Sequence, residues 1–143
     1  MATANETLPI FSDVPSVQAV AKLFSELADA YNVRLKEEAP NLNGSDVYAR
    51  LQEEQRLRSI SNQLYFEAAE RVLQDAVDDQ QKLESDLKKA KARLKKIEEW
   101  AAALGLVADL LVLAGALLAR KPGPILAALQ QVRDELKQEK GEG

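Results

Sequence analysis

A chain with neither histidine nor cysteine must do any chemistry with carboxylates, lysines and arginines, and this one carries 23 acids and 19 bases. The acids come in close pairs: Glu53 with Glu54, Glu67 with Glu70, and Asp78 with Asp79. Such pairs on helices could be imagined as a di-metal centre, but that chemistry ordinarily brings Glu-x-x-His motifs, and there is no histidine to complete one. A solvated polar face is the expected role of these carboxylates. Without a thiol, a phosphate-cradling glycine loop or a nucleophile elbow, the sequence offers no catalytic residue, metal site or cofactor site. A non-enzymatic function is expected, with no small-molecule substrate implied.

The bases are more informative because they are unevenly spread. Residues 1–81 carry 7 basic and 14 acidic groups, residues 82–99 carry 7 and 4, and residues 100–143 carry 5 and 5. A chain of net charge −4 therefore conceals a basic collar in KKAKARLKK, residues 88–96. Lys88, Lys89, Lys91, Arg93, Lys95 and Lys96 could neutralise phosphates, but the run has no interleaved aromatics, which disfavours nucleic acid. A plain solvated face is the leading expectation, with anionic lipid or an acidic protein partner as the functional alternative.

Directly after the collar, WAAALGLVADLLVLAGALLA is a 20-residue apolar run broken only by Asp109. As an α-helix it would be about 30 Å long, the hydrocarbon thickness of a bilayer. Its nine Leu and Val residues contribute about −3 to −5 kcal/mol towards insertion, and a central Asp costs about +2.5 to +3.5 kcal/mol. The sum is near zero, which makes Asp109 a switch candidate whose protonation or pairing would favour insertion. In a hairpin turning at Pro122-Gly123-Pro124, Asp109 falls opposite Leu136, within reach of Arg133 or Lys137; a plain ion pair there is the leading expectation, and the switch the alternative.

The elements that must position these groups are helices throughout, so the expected fold class is all-α. Residues 1–12 read as a flexible tail. Asp13 can cap a first helix of about 26 residues, in which Val17, Val20, Phe24, Leu27 and Tyr31 share a face until Pro40 ends it. Residues 41–44 read as a tight link, and Ser45 as the N-cap of a second helix. From Ala69 onwards a seam through Leu83, Leu87, Leu94 and Ile97 keeps heptad spacing into the apolar run, which predicts one long central coiled-coil helix. The polar patch at residues 78–81 could instead be an unmarked turn. Residues 13–99 then form an elongated helical bundle or coiled coil, and residues 100–143 an apolar helix with an amphipathic helix folded back on it.

Outward positions of the long helix are charged before Trp100 and apolar after it, at Leu106, Leu110, Leu113 and Leu117, opposite Leu104, Leu111 and Leu118. A helix that is apolar all round must be enclosed all round, by lipid or by protein. With Trp100 at the junction as an interfacial anchor, conditional membrane docking or insertion through residues 100–119 is the leading expectation. A soluble oligomeric scaffold or adaptor, with that helix at the centre of a multi-helix core, is the alternative. Either reading expects self-association or a helical protein partner along the half-exposed seam. No cleavable signal is seen at the N-terminus, so cytoplasmic synthesis with membrane association is the expected location.

Overall fold

The structure, a computed structural model, describes residues 8–142, with side chains as far as Lys137. Five α-helices make up almost all of it: α1 (Val14–Glu38), α2 (Gly44–Phe66), α3 (Gln80–Lys96), α4 (Trp100–Ala119) and α5 (Pro122–Glu142). No strand occurs among the described residues. The long central helix expected from the heptad seam is instead three helices.

The breaks have local causes. Asp78 takes a left-handed conformation, φ 45°, and Asp79 accepts hydrogen bonds from the Gln81 and Lys82 amides at 2.9 and 3.3 Å, so the polar patch is the N-terminal cap of α3. At the other end of α3, Ile97 is extended. Buried Arg34 of α1 closes that end by donating to the Leu94 and Glu98 carbonyls at 3.0 and 3.1 Å. The orphan helix-end carbonyl of Leu94 and the linker carbonyl of Glu98 thereby find a donor without continuing the helix. The α2 cap is Asn43, two residues before Ser45; its side chain accepts from the Asp46 amide. Asp13 caps α1 as its position indicates.

Ile10 and Phe11, assigned to the flexible tail by their position in the sequence, are fully buried. Backbone hydrogen bonds from Ile10 to Val77, Leu73 to Phe11 and Gln80 to Leu8 lay residues 8–11 along residues 73–80. Gln80, itself buried, accepts from the Phe11 amide and donates to the Ser16 carbonyl, tying this entry segment to α1 and α3. Residues 1–7 of the expected tail lie outside the described residues.

The helices pack in a ring: α1 lies between α2 and α3, α5 packs on α3, α4 packs on α5, and α2 closes against α4. One continuous apolar core fills it. The α1 face at Val17, Val20, Phe24, Leu27 and Tyr31 is fully buried, as are Leu83, Leu87 and Leu94 of α3. Splitting the long helix turns the heptad seam inwards, so those leucines meet this chain's own helices. Self-association through that seam loses its physical reason.

α4 touches every other α-helix. Both of its leucine stripes are taken up by protein: Leu106, Leu110, Leu111, Leu113 and Leu117 are buried, and Leu104 and Leu118 are partly so. Its open side is a narrow row of Ala101, Ala108, Val112, Gly115 and Ala119. By length and composition α4 could cross a membrane, with a mean hydropathy of 2.3, and in this fold 44% of its apolar window is buried.

Candidate anion-binding groove

α3 has two faces with the same periodicity. Leu83, Leu87, Ala90 and Leu94 point into the core. On the other side, Lys82, Asp86, Lys89, Arg93 and Lys96 recur at intervals of four and three and line one wall of a groove. α5 supplies the opposite wall with Arg133, Leu136 and Lys137, because the stripe that buries α5, at Ile125, Leu129, Val132 and Leu136, turns residues 133 and 137 towards α3. The groove encloses about 650 Å³.

The single carboxylate among the described lining residues is already engaged. Asp86 is 5% exposed and accepts from Arg133 Nε at 2.7 Å, and Arg133 Nη1 reaches Asp78 at 3.0 Å. Burial works against the Arg133 charge, but the hydrogen bonds to Asp86 and Asp78 outweigh it and raise its pKa. Burial also opposes ionisation of Asp78, yet the hydrogen bonds from Arg133 and the Asp79 amide hold its carboxyl below the usual value. Arg93 bridges the walls by donating to the Leu136 carbonyl at 3.2 Å. Lys82, Lys89, Lys96 and Lys137 are exposed and enter no ion pair among the described residues. The groove thus has a neutralised floor and a cationic rim.

Of the basic collar, Lys89, Arg93 and Lys96 converge on this groove. Lys88 and Lys95 are exposed outside its lining, and Lys91 pairs with Glu26 of α1 at 3.0 Å. Sequence reasoning missed Lys82, Arg133 and Lys137. The signal for Lys82 was the seven-residue spacing that runs from it to Lys89 and on to Lys96; the α5 residues needed the chain's return path.

Asp109 meets neither Arg133 nor Lys137. Its partner on α5 is Glu135, which lies on the other flank of the buried α5 stripe, towards α4, and approaches to 3.4 Å of where a Cβ on Gly105 would stand. A hydrogen bond between two carboxyl groups needs a proton on one of them. Burial raises the Asp109 pKa against the lowering effect of that hydrogen bond, and Asp109 Oδ2 is buried without a hydrogen-bond partner. Trp100, half-buried, stacks on Tyr31 of α1 with ring centroids 6.2 Å apart. The Tyr31 hydroxyl donates to Glu53 at 2.5 Å, and burial first, then this bond, pushes its pKa far up.

The paired acids are structural partners. Glu54 binds Arg58 and Asn32, Glu53 binds Arg50 and Tyr31, and Glu67 binds Arg71, whose Nη1 also caps the Leu118 carbonyl at the end of α4. No protein-family model matches the chain, and neither does any curated protein or solved structure.

Proposed function

We propose that this chain is a non-enzymatic interaction protein, a helical bundle that docks on an anionic macromolecular partner through the groove between α3 and α5. The observation that carries this reading is charge segregation: in a chain of net charge −4, the described lining of one groove holds six cations and one carboxylate. The carboxylate is consumed by Arg133, so an approaching anion meets a positive rim. Such a focused field steers association and falls off with salt, since screening acts over about 8 Å at physiological ionic strength. α4 serves as the core helix that keeps α2 and α5 in place around it.

The test is binding to immobilised polyglutamate at increasing salt. The Lys89→Gln, Lys96→Gln, Lys137→Gln variant should bind about tenfold more weakly. A Lys22→Gln, Lys36→Gln variant, altered at exposed α1 positions, should match the parent. Equal loss in both variants would reduce the effect to net charge and overturn the groove as the docking surface.

A second reading rests on α4 itself, a 20-residue helix of mean hydropathy 2.3. In that reading the bundle opens on an anionic bilayer, α4 inserts through Leu104, Leu106, Leu110, Leu111, Leu113, Leu117 and Leu118, and copies associate in the membrane. Protonation of Asp109 would favour that step, because burial in lipid penalises a carboxylate. Flotation with phosphatidylserine vesicles at neutral and mildly acidic pH tests it. Co-flotation that resists high salt supports insertion, and its absence at both pH values removes this reading.

A further inference from the structure

The groove is concave, and its shape narrows what can fill it. A flat bilayer would engage rim lysines but could not reach Arg93 and Leu136 within the groove. A single nucleic-acid strand ordinarily finds aromatic platforms for its bases, and no aromatic residue lines this groove. What the groove does present is a row of exposed lysines, Lys82, Lys89 and Lys96, each one heptad from the next along α3. Seven helical residues rise about 10.5 Å, so the row is a ruler with that repeat. The apolar residues of the lining are Ala92, exposed on α3, and Leu136 of α5, which is mostly buried.

Resting on the docking function proposed above, we infer that the occupant is an acidic amphipathic α-helix of a partner protein, with carboxylates at seven-residue spacing that pair with Lys82, Lys89 and Lys96. An apolar residue of that helix would sit on Ala92 and Leu136, and an acid on its other flank would meet Lys137. A helix laid between α3 and α5 follows the helix-in-groove mode of recognition, in which apolar anchors give affinity and flanking charges set register. The matching repeat is the specific element. A polyanion of any other periodicity would align with one lysine of the row and fall out of step with the next.

Fluorescence anisotropy with labelled synthetic helices of about three heptads tests this directly. One peptide carries Glu at seven-residue spacing beside a Leu stripe, a second has the same composition with the Glu positions scrambled, and a third replaces each Glu with Gln. The heptad peptide should bind the full chain about tenfold more tightly than the scrambled one, and Lys89→Gln, Lys96→Gln should erase that preference while leaving the circular dichroism spectrum unchanged. Equal binding of heptad and scrambled peptides would overturn helix recognition and leave general anion docking standing. Tighter binding of phosphatidylserine vesicles or a single-stranded oligonucleotide to the same lysines would assign the groove to that class instead. If no anionic probe binds at low salt, this inference and the docking function both fall.

Discussion

Arg133 Nε lies 2.7 Å from Asp86, and this contact sets the sign of the groove, because it neutralises the only carboxylate among the described lining residues. Replacing Arg133 with Met would strand Asp86 and Asp78 beside each other with no cation between them. The expected cost is about 2 kcal/mol, below the range for breaking a wholly buried pair because Arg133 is partly exposed. Urea denaturation at neutral pH measures it. The pH profile should change as well: the depressed Asp78 pKa gives stability that is present above the ordinary aspartate value of 3.8 and is lost as pH falls through the lowered one. The Met variant should show a weaker acid limb, because the Asp79 amide and Lys82 still act on Asp78.

Asp109 should behave in the opposite sense. Burial raises its pKa above 3.8, so its contribution is fully present below the unfolded value and is lost as pH rises through the folded one. Asp109→Asn is therefore expected to stabilise the chain at neutral pH by about 1 kcal/mol, with the gain fading as pH falls towards 4. Thermal unfolding at a series of pH values gives the answer. A loss of stability at neutral pH would show that the ionised Asp109 is favourably paired.

Arg34 holds the end of α3 from another helix. Arg34→Met removes the donor to the Leu94 and Glu98 carbonyls and should cost about 2 kcal/mol. Hydrogen exchange should quicken first in the last turn of α3 and at residues 97–99, ahead of α2. Uniform loss of protection would mean that Arg34 supports the whole core.

Trp100 is the only indole and sits against Tyr31. Its emission should be blue-shifted in the folded chain without vesicles, and should move to longer wavelength on unfolding. Adding phosphatidylserine vesicles at neutral pH should leave it unchanged if α4 stays in the bundle. A further blue shift with vesicles would speak for insertion of α4.

The helical composition, the α1 face from Val17 to Tyr31 and the Asp13 cap were legible in the sequence because each depends on local spacing. The break at Asp78 was open as an alternative, but heptad continuity obscured it. Leu83, Leu87 and Leu94 fit a coiled-coil seam and a bundle core equally well, and only Asp79 as a cap with Arg34 as a closing donor separates the two. The cationic wall on α3 was half visible as Lys89, Arg93 and Lys96. Its α5 counterpart was hidden by an error of side: Asp109 was given Arg133 and Lys137, which flank the buried α5 stripe on the face turned from α4, whereas Glu135 flanks it on the face turned towards α4. Ile10 and Phe11 carried no periodic signal, since they are buried by an extended segment paired with residues far along the chain.

Docking of an anionic partner in the α3/α5 groove can be followed through the backbone amide resonances during titration with polyglutamate. Shifts should cluster at Lys82, Lys89, Ala92, Arg93, Lys96 and Arg133, and should weaken with added salt. Shifts centred on the open row of α4 at Ala101, Ala108, Val112 and Gly115, or scattered over every exposed lysine including Lys22 and Lys36, would contradict it.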